Sequence, residues 1–222
     1  MKKILGGIVL SFVIFMLTGC ASNRGYLTVD LPQHSIANDN GKQVFIRSVV
    51  DNRIFENRPR TPDVPSLGFK GSDQASKEIK SRAIARKRNG YGRALGDILL
   101  DENQSVEFIA TEMIKNSLYS LGYTVTNNKD EAKRDAIIMD VSIDKFWSWI
   151  NVGVWTLRID AQIKTTMNIT FPGDKKTVTI EALVNNPCQM GNTANWRKAI
   201  RMVIEAYISE AKDKLKCLEK GC

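Results

Sequence analysis

Between residues 155 and 171 the chain alternates with almost no break. Trp155, Leu157, Ile159, Ala161, Ile163, Met167, Ile169 and Phe171 fall on one side of an extended backbone, and Thr156, Arg158, Asp160, Gln162, Lys164, Thr166, Asn168 and Thr170 on the other. Successive side chains of a strand point to opposite faces, so this is one long strand with a dry face and a wet face. Such a strand cannot stand alone. It needs sheet neighbours along its edges and a separate layer over its apolar side, and Thr165 is the one polar residue on that side.

The neighbours are legible nearby. Ile137, Met139, Val141 and Ile143 alternate with Ile138, Asp140, Ser142 and Asp144, and after the turn Pro172-Gly173-Asp174 the residues Val178, Ile180, Ala182 and Val184 alternate again. The β-branched run Val44 to Val50 and the short Tyr123-Thr124-Val125 add two more strands. The cover is legible too. From Ser105 onward, Val106, Ile109, Ala110, Met113, Ile114, Leu118 and Leu121 lie on one helical stripe that Gly122 ends. A second helix starts near Asn192 or Thr193 and carries Trp196, Ile200, Val203, Tyr207, Ala211, Leu215 and Leu218 on its stripe. Two amphipathic helices and a one-sided sheet predict an α+β fold: a two-layer sandwich with a mostly antiparallel sheet and both helices on one face, in the order β-α-β-β-β-β-α.

The first residues have a different job. Met1-Lys2-Lys3 is basic, Ile4 to Met16 is apolar, and Leu17-Thr18-Gly19-Cys20 closes the run with small residues, the order of an export signal and too short for a comfortable membrane span. Leu-Thr-Gly-Cys is similar to a bacterial lipobox. That resemblance implies cleavage of residues 1–19 and lipidation of Cys20 by a diacylglycerol and a further acyl chain, enough to anchor a chain without a spanning helix. Ala21 and Ser22, with no Asp after the cysteine, imply the outer membrane and its periplasmic face. Residues 20–41 read as the lipidated cysteine and a flexible polar tether containing Pro32 and His34, 42–216 as a single periplasmic domain, and 217–222 as a cysteine-bearing tail.

Inside the domain, 51–104 reads as a long basic loop with no sustained apolar period. The whole chain carries a formal charge of +8, and much of it sits in Lys77, Lys80, Arg82, Arg86, Lys87, Arg88 and Arg93, opposed there by Glu78. Such a patch suits anionic lipid or glycan in the envelope; nucleic acid is not expected, because besides charge it needs grooves or stacking aromatics and only Tyr91 is close by. Pro59, Pro62 and Pro65 recur every third residue, as on one edge of a polyproline helix. Phe146, Trp147 and Trp149 crowd the approach to a turn at Asn151 and Gly153. The alternation puts Phe146 on the polar face and leaves Trp147 and Trp149 as candidate exposed anchors for a partner.

Catalysis is not expected. The one histidine, His34, lies in the tether, and Asp140 and Asp144 share a half-solvated strand face. No Cys/His spacing suits zinc, so neither a metal nor a cofactor is expected. In an oxidising compartment one disulfide among Cys188, Cys217 and Cys222 is expected, with the pairing open.

With this order of elements, the chain resembles the YajG-like family of uncharacterised bacterial lipoproteins. The resemblance rests on the lipobox at Cys20, the strand end Val49-Val50-Asp51-Asn52-Arg53, the helix end Leu118-Tyr119-Ser120-Leu121-Gly122-Tyr123-Thr124-Val125 and the long alternating strand after Trp155. It implies no catalytic residues. The expected function is therefore that of a non-catalytic accessory or stabilising subunit of an envelope protein assembly, contacting its partner through Trp147, Trp149, Arg86, Lys87 and Arg88. The alternative is a binding module for anionic envelope lipid or glycan.

Overall fold

In a computed structural model, residues 24–33, 37–68, 71–88, 94–153 and 156–220 are described, the last four by their backbone alone. Cys20, His34, Arg93, Trp155 and Cys222 lie outside the described residues, as does the side chain of Cys217. The elements run β1 (Gly25–Leu27), β2 (Gln43–Asp51), α1 (Lys77–Arg82), β3 (Ala83–Arg88), β4 (Ala94–Leu100), α2 (Val106–Tyr119), β5 (Thr124–Thr126), β6 (Ile137–Val152), β7 (Leu157–Phe171), β8 (Asp174–Cys188) and α3 (Thr193–Lys220). The eight strands form one mixed sheet, and the fold is α+β.

The sheet is organised around β6. Along one edge it pairs antiparallel with β7 from Ile138 to Val152, and β7 pairs antiparallel with β8 over the full length of both. The other edge of β6 is divided: β2 lies parallel to it from Ile137 to Ile143, and β3 lies parallel to it at Ser148. Beyond β3 come β4, antiparallel, and β1, parallel to β4; beyond β2 comes β5, also parallel. The long hairpins match the antiparallel expectation, whereas the flanks add parallel pairs: β2, β3 and β5 run in the direction of β6, and β1 in that of β4.

The division of the β6 edge coincides with a bulge. Asp144 has no partner on β7, because the register shifts between Ile143 and Lys145, and one extra residue exchanges the two faces of everything downstream. Before the bulge Ile137, Met139, Val141 and Ile143 face the helices; after it Phe146 does so and is fully buried. The expected placement of Phe146 on the polar face is therefore corrected. Trp147 and Trp149 turn to the opposite face for the same reason.

Helices α2 and α3 cover the main face side by side, α2 over β2 and β5 and α3 over β7 and β8. Ser105 caps α2, its Oγ accepting the Phe108 N–H at 3.2 Å. Gly122 follows with φ +85°, and the Asn38 carbonyl lies 2.3 Å from where a Cβ would stand, so only glycine fits. On α3, Trp196, Ile200, Val203, Tyr207, Ala211 and Leu215 are buried in that order along the stripe. The odd Thr165 finds its partner here: its Oγ1 lies 2.6 Å from the buried Tyr207 hydroxyl, and burial pushes Tyr207 ionisation well up, so both hydroxyls stay neutral.

Two segments depart from expectation. Residues 24–31 are packed chain rather than tether: β1 pairs with β4, and Leu27 and Val29 enter the core. The Gln104 amide completes the docking, since its Oε1 accepts the Val29 N–H and its Nε2 donates to the Val29 carbonyl, both at 2.9 Å. The 51–104 segment is likewise not a loop, because it holds α1, β3 and β4.

Candidate functional site

The interaction candidates gather on the sheet face away from the helices and at the end where β3, β6 and β8 finish. That face has two halves. Its lower half is a polar ladder in which Asp140 accepts from Arg47 and from the Ser48 hydroxyl at 2.8 Å, and Asp144 accepts from Ser142 at 2.8 Å and Thr166 at 2.6 Å. The Arg47 and Ser48 contacts hold Asp140 below the usual carboxylate range, so it stays ionised. Asp140 and Asp144, which share this strand face, are thus each held by neighbours on the sheet.

The upper half is a second, smaller core. Leu67, Ala83, Leu99, Trp147 and Trp149 pack together, with Phe55, Ala75 and Ile79 over them. Trp147 is 1% exposed and Trp149 8%, so their proposed role as exposed anchors is corrected: the 53–82 segment covers both. The Trp147 indole donates to the Pro62 carbonyl at 3.2 Å and meets Phe55 edge to face, while the Lys145 ammonium lies over Trp149. Pro62 and Pro65 belong to this cover, the latter accepting the Glu56 N–H.

Arg53 fixes the cover to the sheet. Its guanidinium is held bidentately by Asp51 at 2.7 and 2.8 Å and donates to the carbonyls of Ala83, Phe146 and Lys80 at 2.6, 2.9 and 2.6 Å. These carbonyls lie where β2 leaves the β6 edge and β3 joins it, so one planar five-donor group fills the gap in the ladder. The motif Asp51-Asn52-Arg53 is in this way structural.

The basic trio is only half exposed. Arg86 faces Asp97 across the β3–β4 pair, Lys87 lies across β1 beside Gly25, and Arg88 donates to Ser66 at 3.1 Å. Asp97 is fully buried, accepts the Gly68 N–H at 2.8 Å and has Arg24 3.8 Å away. Burial pushes the Asp97 carboxyl up, against the pull of the Gly68 N–H, Arg86 and Arg24; burial, helped by the charge of Arg86, brings Arg88 down. Neither Arg53 nor Asp97 was among the expected site residues. A lone acid in the otherwise apolar Ala94–Leu100 was the signal for Asp97.

A groove runs beside this arrangement. About 340 Å³ of space is lined by Val49, Val50, Phe55, Lys77, Lys80 and Glu107 among others. Past Phe45 no strand among the described residues pairs with the outer edge of β2, and Val50 and Ile54 are exposed next to it.

The cysteines separate. Cys188 is free at the end of β8, just before α3. Cys217 lies 24 residues along α3 from Thr193, about 36 Å at 1.5 Å per residue. The five residues from Cys188 to Thr193 span at most ~18 Å, and a disulfide needs Cα atoms within about 7 Å. Cys188 therefore cannot pair with Cys217 in one chain.

The chain is thus an α+β domain whose sheet is dry on both faces at one end. No family model and no curated protein matches it. Among solved structures it is similar to an uncharacterised protein (TM-score 0.47, 7% identity, 88% of this chain and 99% of that one). It is also similar to a Xanthomonas campestris protein of the family DUF330 (TM-score 0.43, 13% identity, 84% and 91%). A third similar structure is a homologue of a neuraminyllactose-binding hemagglutinin, from Helicobacter pylori (TM-score 0.34, 11% identity, 87% and 97%).

Proposed function

We propose that this chain is a non-catalytic lipoprotein of the YajG-like kind, anchored by acylated Cys20 to the periplasmic face of the outer membrane, where it serves as an accessory subunit of an envelope protein assembly. The observation that carries the partner half of this reading is the groove at the end of β2. An extended segment laid along the unpaired edge from Ile46 to Asp51 gains main-chain hydrogen bonds, while Lys77 and Lys80 favour acidic side chains and Val50 and Ile54 offer apolar contact. With Trp147 and Trp149 inside the fold, this edge replaces them as the contact surface.

The test places a photo-crosslinking side chain at Val50 in the full-length protein in cells, with a second at Thr179 on the outer strand β8 as control. One discrete protein adduct from Val50, none from Thr179, and loss of the adduct on Lys77→Glu with Lys80→Glu is the expected result. An adduct indifferent to those lysines, or none from Val50, removes the groove from the function.

A further inference from the structure

Ends of several strands meet at one end of the sheet, and the chain enters the domain there. β3 runs parallel to β6, β4 runs antiparallel to β3, and β1 runs parallel to β4, so the finish of β6 and β3 and the start of β4 and β1 all point the same way. The pairing aligns Gly25, Ile98, Ala85 and Ser148 in a single row. Beyond that row Val152 is four residues further out, about 13 Å, and Arg88 three residues, about 10 Å. Cys188, opposite Leu157, ends β8 at the same level as Val152.

From Gly25 back to Cys20 is five residues, a reach of at most about 18 Å. A free tether of some 20 residues would wander about 25 Å and leave the domain's orientation open, but β1 is locked to β4 and removes that freedom. An anchor at Cys20 therefore holds the Gly25 row within about 18 Å of the lipid, and the protein's own strand ends fill most of that distance. The surface that results is suited to a bilayer. Val152 is 56% exposed, Met190 62% and Leu95 50%, and the half-buried Lys87 and Arg88 end β3 beside them, while the acids nearest this end, Asp97 on β4 and Asp160 on β7, are buried beside arginine partners.

We infer that this end of the sheet is a membrane-contacting surface, in which Lys87 and Arg88 engage anionic phospholipid headgroups and Leu95, Val152 and Met190 enter the interfacial layer, with the short run from Cys20 to β1 enforcing the orientation. The inference rests on acylation of Cys20. It leaves the β2 groove away from the bilayer, open to a partner.

Amide hydrogen exchange of the full-length mature protein tests this, read in detergent, in phosphatidylcholine vesicles and in phosphatidylethanolamine vesicles containing cardiolipin, after intact mass has established the acyl chains. Exchange at 86–88, 94–95, 150–153 and 188–190 should slow in vesicles and most with cardiolipin, while the Phe171–Asp174 turn at the opposite end stays unchanged. Lys87→Glu with Arg88→Glu should weaken the cardiolipin effect by about fivefold per charge removed. A Gly/Ser insertion of about 20 residues after Asn23 should abolish the slowing in phosphatidylcholine, where only the tether holds this end down. Acylated protein with no slowing, or with slowing at the Phe171–Asp174 turn instead, overturns the inference and leaves the lipoprotein reading standing. A mature mass without acyl chains overturns both.

Discussion

The two faces of the sheet are closed by different means. The helix side is one continuous core whose partners come from long amphipathic stripes, Ile109 to Leu118 on α2 and Trp196 to Leu215 on α3. The opposite side is a small patch under Trp147 and Trp149, closed by single apolar residues, Phe55, Leu67, Ala75 and Ile79, on a segment that has no period of its own. The first kind of closure is many contacts shared along a helix; the second is a lid held at a few points, chiefly Arg53. A lid of this kind can open while the rest stays folded, because local opening scales with the contacts it breaks.

Removing the pin should have the largest effect. Arg53→Met leaves Asp51 and the carbonyls of Ala83, Phe146 and Lys80 without their common donor, and losing one partner of a buried ion pair costs about 3–5 kcal/mol. Chemical denaturation should show that loss, and proteolysis should cut first between Arg58 and Gly68. Equal protection of that segment in wild type and variant would mean that the cover is held by packing alone.

Phe146→Ala and Trp147→Ala make the comparison direct, since they are adjacent residues on opposite faces. Each truncation costs about 3–5 kcal/mol when the cavity does not collapse. The Phe146 variant should lose that amount in the exchange of α2 and α3 as well as the sheet, whereas the Trp147 variant should lose protection mainly in α1, β3 and the 53–76 segment. If both variants unfold as one unit, the second core is not a separate lid. A smaller effect follows on the helix side: Tyr207→Phe leaves the Thr165 hydroxyl buried without its partner and should cost about 1–3 kcal/mol by denaturation.

The same contrast explains what could be read from the residues alone. The strands β6 to β8 and both long helices carry one apolar face each, so periodicity identifies them without knowledge of their partners. The bulge at Asp144 left no local mark, because Phe146-Trp147-Ser148-Trp149 offers apolar residues in both phases and only the pairing with β7 decides between them. The cover was opaque for the opposite reason. Its apolar residues stand singly and gain meaning only from Trp147, about eighty residues away in the chain. The strand β4 was readable but missed: Ala94 to Leu100 is a short apolar run with glycine inside it, the pattern of a strand dry on both faces. Of the site, the basic trio was visible as charge, but the docking of residues 24–31, which gives that charge an orientation, depends on Gln104 and the Leu27 burial and has no pattern in a three-residue strand.

The smallest effect separates two carboxylates on one face, Asp97 under the cover and Asp140 in the open ladder. Burial raises Asp97 above its ordinary value near 3.9, so the folded protein holds this proton when the unfolded chain has released it, and stability falls as pH rises through that window. Asp140 is lowered by Arg47 and Ser48, so its contribution is present above about 3.9 and is lost as pH falls toward its folded value. Asp97→Asn keeps an acceptor for the Gly68 N–H and removes the charge that burial opposes. Its stability relative to wild type should therefore climb as pH rises from about 4, while Asp140→Asn should change relative to wild type only below about 4, losing stability as pH rises there, and by less, its partner Arg47 being exposed. Denaturant midpoints of the two variants and wild type on both sides of that pH provide the measurement. Parallel curves for Asp97→Asn and wild type would show that Arg86 and Arg24 compensate the buried charge completely, and that the second core is no drier than the ladder beneath it.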